Sequence, residues 1–362
     1  MRKQKGLISL MDKLYHNSDV NQIVSFCRYG RGMTQVPAIS VLMSVYNGES
    51  HIYASVRSIL AQTWDNFELL IVNDGSTDRS GAIVRDLAAE DGRIRLVDRE
   101  NRGLIASLNE ALALARAPLL ARMDADDIAM PDRFRRQVEY LAAHPDVGVL
   151  GTNAHDLDDH GKIITGTTFF PETDQEVRET LKHDPPLSHP TVMMRTALIR
   201  ELGGYRAAFA HAEDYDLWLR CSRHTRITSL RERLLLYRRS HGQISQRYHS
   251  EQTYAAAVAW LAHRRVLDGK DDPFDHLTSI PSENELDEAF GERGAREVVM
   301  RLFVERMRYS HELLAGKKFD LMLAQARRCE RFDGAARTIL RLARMGHFGR
   351  AAELGIALAA PR

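Results

Sequence analysis

Ala121-Arg122-Met123-Asp124-Ala125-Asp126-Asp127 sets three carboxylates in four residues directly behind the apolar run Ala117-Pro118-Leu119-Leu120. An apolar strand ending in an acidic turn is where an α/β sheet presents ligands, because such sheets bind at the carboxyl ends of their strands. If the backbone stays extended there, Asp124 and Asp126 point one way and Asp127 the other, so the first and third positions act on one ligand together. Hard carboxylate oxygens suit Mg²⁺ or Mn²⁺, which take one or two protein carboxylates and fill their shell with phosphate oxygens and water. The same acids would also serve as a solvated loop capping a helix that begins near Pro131.

Working outward from this stretch, the N-terminal half alternates strands and helices. Ile39-Ser-Val-Leu-Met-Ser-Val45 is apolar and β-branched and runs into Tyr46-Asn47-Gly48-Glu49, as a buried parallel strand would. Ser50 stands ready to cap a helix whose apolar face is Ile52, Val56, Ile59 and Leu60. Glu68-Leu-Leu-Ile-Val72 is a second strand, ending in Asn73-Asp74-Gly75-Ser76-Thr77-Asp78, and Ile94-Arg-Leu-Val97 a third. Such βαβ units imply a parallel sheet, so the turns at Tyr46, Asp74 and Asp124 share one sheet edge and converge on one ligand. Taken singly, Asp74 is also a polar turn residue and Tyr46 a packed aromatic.

The rhythm changes after a helix expected over Arg133 to Ala143. Val147 to Gly151 and an exposed run, Lys162 to Phe170, read as strands, and His183-Asp-Pro-Pro-Leu-Ser-His-Pro190 as a stiff loop that holds His189 in place. Glu213 and Asp214 open a helix that carries Trp218. Acids in a first helical turn suit the macrodipole, and an acid beside Trp218 is also a competent general base. Strands are expected at Arg226 to Leu230 and Leu234 to Tyr237. From Tyr248 onward the pattern is helical, including one helix over Ala295 to Leu314.

Composition excludes several classes. At 362 residues, 44% apolar and 27% charged, the chain is an ordinary globular protein long enough for a large domain with an appendage. No window approaches the roughly 18 uninterrupted apolar residues of a membrane span, and the N-terminus does not read as a signal peptide. The expected location is cytoplasmic, at most peripheral at the inner face of a membrane. The three cysteines, Cys27, Cys221 and Cys329, have neither disulfide nor metal-ligand spacing. A net charge of +1 gives no reason to expect nucleic-acid binding. Charge is uneven, though: residues 1–35 have net charge +4, and the stretch from Arg327 to Arg350 holds seven Arg against Glu330 and Asp333, a run that is usually a solvated face and that also suits docking on anionic lipid.

In order and spacing, Ser-Val-Tyr-Asn-Gly (44–48), Asn-Asp-Gly-Ser-Thr-Asp (73–78), Arg-Met-Asp-Ala-Asp-Asp (122–127), His-Pro-Thr-Val (189–192) and Glu-Asp-Tyr-Asp-Leu-Trp (213–218) resemble the family 2 inverting glycosyltransferases of the GT-A fold. The resemblance covers residues 37 to about 246 and implies an α/β, Rossmann-like domain over 37–247; the basic extension over 1–36 and the helical region over 248–362 fall outside it. It implies that Tyr46 stacks on a nucleobase, that Asp74 hydrogen-bonds it, and that Asn47, Glu49 and Asp124 belong to the nucleotide site. It also implies that Asp126, with His241, serves a divalent Mg or Mn ion, and that Asp214 is the general base. His189, Glu213 and Trp218 fall on the acceptor or diphosphate side. The donor it implies is a UDP- or dTDP-sugar and the acceptor a glycan or lipid-linked glycan. A GT-A-like nucleotidyltransferase would want a basic, Gly-rich phosphate loop after the first strand, where Tyr46-Asn47-Gly48-Glu49 is acidic. A sugar-nucleotide-binding module without catalysis would have no need of both Asp126 and Asp214.

Overall fold

The computed structural model describes residues 36–158, 161–164, 170–239, 248–316, 318–328 and 334–359. The basic leader, the loop carrying His241, Cys27 and Cys329 lie outside them. The chain divides into two compact units, the first holding residues up to Arg206 together with Leu217–His241, the second Ala207–Asp216 with everything from Gly242 onward. The division after His241 lies six residues ahead of the boundary read from the sequence at 247/248, and the ten residues that carry Asp214 group with the second unit.

The first unit is built on a mixed sheet. Strands β1 (Ile39–Val45), β2 (Phe67–Asp74), β3 (Ile94–Arg99) and β4 (Leu119–Asp124) lie parallel in the order β3-β2-β1-β4. Helices α1 (Ile52–Leu60), α2 (Ser80–Glu90) and α3 (Leu104–Leu114) connect them. Parallel strands joined by helices are covered on both faces, and β2 is accordingly buried along its whole length. Ser50 does not cap α1. The carbonyl of Gly48 accepts from the amides of both His51 and Ile52, at 3.0 Å each, and meets those donors first.

Glu68 is the polar exception inside β2. Its carboxylate accepts from Ser40 Oγ (2.6 Å), Arg95 (2.8 Å) and the amide and guanidinium of Arg116 (2.8 and 2.9 Å). Burial opposes its charge, but these donors outweigh burial and hold the carboxyl below its ordinary value.

Beyond β4 the sheet turns mixed, with β8 (Met193–Arg195) antiparallel to both β4 and β6 (Val147–Leu157). β9 (Arg226–Arg238) runs parallel to β6 and pairs at its far end with the two-residue β5 (Ile128–Ala129). The two apolar runs expected as separate strands at 226–237 are one strand with a bulge, because the register slips between Thr152 and Asn153. The Asn153 amide donates to the carbonyls of Leu230 and Arg231, satisfying two groups that the slip leaves unpaired. β7 (Ile163–Ile164) keeps only the start of the exposed strand expected at 162–170 within the described residues. α4 (Arg133–Ala143), α5 (Asp174–Leu181), which begins in a capping box between Thr173 and Glu176, and α6 (Thr196–Glu201) complete this unit apart from the C-terminal part of α7 (Glu213–Cys221).

The second unit is helical: α8 (His249–Leu267), α9 (Leu286–Ala289), α10 (Ala295–Met307), α11 (His311–Ala315), α12 (Phe319–Arg328), α13 (Ala335–Arg344) and α14 (Phe348–Ala359). The single helix expected over 295–314 is broken at Met307, because Ser310 caps a new start by accepting from the Leu313 amide at 3.1 Å. Phe303, Met307, Leu314, Phe319, Met322 and Leu354 form its core. Among the described residues no helix is long and apolar enough to cross a membrane.

Candidate functional site

Parallel pairing brings three turns side by side in the first unit: Val45 lies opposite Asn73, and Ser44 opposite Asp124. The turns after β1 and β2 are also laced together. The amides of Asn47 and Gly48 donate to Ser76 Oγ (3.0 Å) and Ser80 Oγ (2.8 Å), and Asn47 Oδ1 and Glu49 Oε2 accept from the amides of Thr77 (2.8 Å) and Arg79 (3.0 Å). Asn47 and Glu49, expected at the nucleotide, therefore shape the loop with their side chains. Tyr46 is 55% exposed at its tip, as a stacking platform must be.

Asp74 is buried. Arg99 ion-pairs with it at 2.5 Å, and the amides of Arg102 and Gly103 donate to its two oxygens at 2.9 Å each. The turn 100–103 is thereby drawn against the end of β2. Gly75 permits that approach: its φ is +73°, and a Cβ there would lie 2.6 Å from the Asn101 nitrogen.

The acidic turn departs from the alternation expected of it. β4 ends at Asp124 and the chain turns at Ala125 and Asp126, so Asp127 is not carried to the opposite face. One oxygen from each of Asp124, Asp126 and Asp127 falls within a cluster no wider than 4.8 Å. Arg122, two residues before Asp124 and so on the same strand face, is 2% exposed and ion-pairs with Asp124 at 2.6 Å. Burial works against the Arg122 charge, but Asp124 and further anionic neighbours more than offset it and raise the guanidinium above its ordinary value. From β9, the Arg238 amide donates to Asp127 Oδ1 (2.8 Å) and its guanidinium to the Asp126 carbonyl (2.9 Å). Arg133 is fully buried, donates to the Arg122 carbonyl at 2.8 Å, and is brought down by burial to about 9.

These cations do not neutralise the turn. Burial, then the charge of Asp124, pushes Asp126 up to about 6, and burial with both neighbouring acids raises Asp127 well above the usual carboxylate range. Asp127 is 1% exposed, and its Oδ2 has no hydrogen-bond partner among the described residues. A buried oxygen with no donor, beside two more carboxylates, fits a hard divalent cation. The phenol of Tyr237 on β9 is raised by burial and by the same acids.

His189 and Trp218, expected on the acceptor or diphosphate side, are interior groups. His189 is 9% exposed, hydrogen-bonds Tyr205 Oη at 2.8 Å and meets the edge of the fully buried Trp218 ring. Burial and then Arg122 hold its imidazole well below its usual value, so it is neutral at pH 7.

Asp214 belongs to the second unit, in the first turn of α7. Of the three acids there, Glu213 and Asp216 are 7% and 3% exposed, whereas Asp214 reaches further toward solvent. The segment ahead of it is fastened by aromatics. Phe209 packs on Phe274 at 4.4 Å between centroids, His211 stacks on Tyr248 at 4.3 Å, and Tyr215 Oη accepts from Arg306 of α10 at 2.8 Å. We predict that Arg306→Met speeds amide exchange over 207–216 by roughly tenfold or more, since a hydrogen bond to a charged group is worth about 1.5–3 kcal/mol. Unchanged protection in that segment, read by hydrogen exchange with mass spectrometry, would show that the aromatic contacts hold it alone.

Arg99, Arg122, Arg133, Tyr237 and Arg238 have no site role in the sequence reading, and Asp127, placed there on the opposite face, joins the acidic cluster. Of these, Arg122 was within reach, being two residues from Asp124 on a strand.

Residues 40–203 match the family model for glycosyl transferase family 2, a span that includes Asp74, Asp124 and Asp126 and ends before Asp214. The chain is 36% identical over 192 residues to the putative glycosyltransferase EpsE of Bacillus subtilis, covering 52% of this chain and 68% of that one. It is 30% identical over 226 residues to the O-antigen biosynthesis glycosyltransferase WbnJ of Escherichia coli, covering 61% and 84%. Among solved structures, S. aureus TarS 1–349 shares the fold with a TM-score of 0.56 at 17% identity, over 88% of this chain and 90% of that one. The same TarS fragment has been crystallised with UDP-GlcNAc.

Proposed function

We propose, for a chain that belongs to glycosyltransferase family 2, that it moves a sugar from a UDP- or dTDP-sugar to a hydroxyl of a glycan or lipid-linked glycan, inverting the anomeric carbon, in cell-surface polysaccharide or glycolipid synthesis. The observation that carries this reading is the Asp124–Asp127 turn, three clustered carboxylates including a buried oxygen that no donor meets, at the same sheet edge as Tyr46 and Asp74.

Tyr46 stacks on the base, and Asp74, already oriented by Arg99, faces its edge. Asp126, with Asp124 and Asp127 beside it, holds a Mg or Mn ion, which when bound supplies positive charge to the diphosphate leaving group. Asp214 takes the proton of the acceptor hydroxyl. The freed oxygen forms the new bond to the anomeric carbon while the bond from that carbon to the diphosphate breaks, and the nucleoside diphosphate leaves with the electron pair. His189, neutral and buried, positions Tyr205. His241 is retained as a further candidate at the metal. The place of action is the cytoplasm, at the inner face of an anionic membrane where lipid-linked acceptors are presented.

A panel of nucleotide sugars tests this. One UDP- or dTDP-sugar should release its nucleoside diphosphate slowly, with Mn²⁺ or Mg²⁺ required and chelator abolishing it. Metal-independent release, or a transfer product that retains the donor's anomeric configuration, would overturn the reading.

A further inference from the structure

We infer that α13 and α14 form a surface that docks on an anionic phospholipid bilayer, with a lipid phosphate seated among Arg337, Arg341 and Arg344. These arginines stand at i, i+4 and i+7 on one face of α13, all three exposed. With His311, Tyr309 and Leu340 they line a cavity of about 590 Å³ whose wall, among the described residues, includes no acidic side chain. Among the described residues none of the three takes part in an ion pair, whereas Arg350 nearby is engaged, donating to the carbonyls of Leu314 and Gly316. Three guanidiniums brought together without a carboxylate repel one another, and a phosphate is the ligand whose planar, bidentate recognition suits them.

The second observation concerns α14. Its buried face, Ala351, Leu354 and Ala357, meets the core of its unit, as expected of an amphipathic helix. Its outward face is apolar too: Phe348 is 69% and Ile356 is 70% exposed, on one stripe with Ala352, and Glu353 is the sole charge among the outward residues. Leu340 on α13 is 52% exposed between the arginines. Large apolar side chains exposed on α14, and on α13 an exposed Leu340 set among arginines, suit helices lying in a headgroup layer, with apolar groups at the acyl boundary and cations at the phosphates. A second copy of this chain would bring one Arg face against another, and the leader of residues 1–35 has net charge +4, so charge disfavours both as occupants.

This inference rests on the membrane part of the reading above and not on its chemistry. The test is co-sedimentation of the full chain with vesicles of phosphatidylcholine alone and of phosphatidylcholine mixed with phosphatidylglycerol, in parallel with binding of the nucleotide sugar. Wild type should pellet with the anionic vesicles alone and be released by salt. The triple variant R337E/R341E/R344E should lose at least on the order of a hundredfold in vesicle affinity, from about 1 kcal/mol per basic residue at the surface. Its lysine counterpart, which keeps the charge but not the bidentate fork, should bind more weakly than wild type and well above the glutamate variant, and F348S/I356S should bind weakly and be released at lower salt. All should keep the thermal midpoint and donor affinity of wild type, so a failure of vesicle binding is distinguishable from a failure of the transferase reading. Absence of binding by wild type, equal binding to neutral vesicles, undiminished binding by the glutamate variant, or a dimer that dissociates in F348S/I356S would overturn the assignment.

Discussion

Asp214→Asn should leave nucleotide-sugar affinity nearly unchanged while kcat falls by about 10² to 10⁴, the usual contribution of a general base. Glu213 and Asp216 share its helical turn but are almost fully buried, so Asp214 is the acid of the three that an acceptor hydroxyl can reach. Its Oδ1 accepts from the Tyr215 amide at 2.7 Å, which orients the carboxylate within the first turn of α7. A purely structural acid at a helix N-terminus makes a different forecast: loss of its charge costs about 0.3–1 kcal/mol of stability and leaves turnover alone. Measuring thermal midpoint, donor affinity and transfer rate on the same variant separates the two. Near-parental transfer by a stably folded Asp214→Asn protein would end the assignment and move the search to Glu213 or Asp216.

The parts of this chain legible from sequence are those set by local pattern. Apolar runs, β-branched in β1 and β2, mark β1, β2 and β4, and because parallel strands end at one edge, the neighbourhood of Tyr46, Asp74 and Asp124 follows from strand order. The limits of α4, Arg133 to Ala143, also matched. What was not legible is held by contacts distant in the chain. Arg238 reaches Asp126 and Asp127 across more than a hundred residues, and nothing in a strand's own pattern tells that its last residue faces the acids of another turn. Segment 207–216 groups with the helical unit through Phe274, Tyr248 and Arg306, partners that no local periodicity names. Asp127 was misplaced for a simpler reason: period-2 alternation was carried past Asp124, where the strand stops. His189 and Trp218 are placed on the acceptor or diphosphate side by the resemblance alone; the stiff loop at His189 does show in the sequence, but its hydrogen bond to Tyr205 and its contact with the Trp218 ring depend on partners distant in the chain.

Asp126→Asn should move stability in opposite directions depending on metal. In the metal-free protein, burial and Asp124 raise the Asp126 carboxyl to about 6, against roughly 3.9 in an unfolded chain. A group whose folded pKa lies above its unfolded value adds stability in its protonated form, and that stability is lost as pH rises through the folded pKa. At pH 7.5 the ionised side chain is therefore a cost, and the asparagine should raise the metal-free midpoint, with the gain shrinking as pH falls below 6. Divalent ion reverses the order. At a hundred times its Kd a ligand that binds only the folded state stabilises by about 2.7 kcal/mol, so Mn²⁺ should raise the parent's midpoint by several degrees and the variant's by little. The parent's metal affinity should also weaken as pH drops through 6, since protons compete for the same oxygens. Calorimetric titration of Mn²⁺, with and without nucleoside diphosphate, reads the binding directly, and scanning calorimetry reads both midpoints. A variant that binds Mn²⁺ and nucleotide as tightly as the parent, or whose metal-free midpoint drops at pH 7.5, would mean that the charge of Asp126 neither strains the turn nor holds the ion, and that Asp124 and Asp127 carry the site without it.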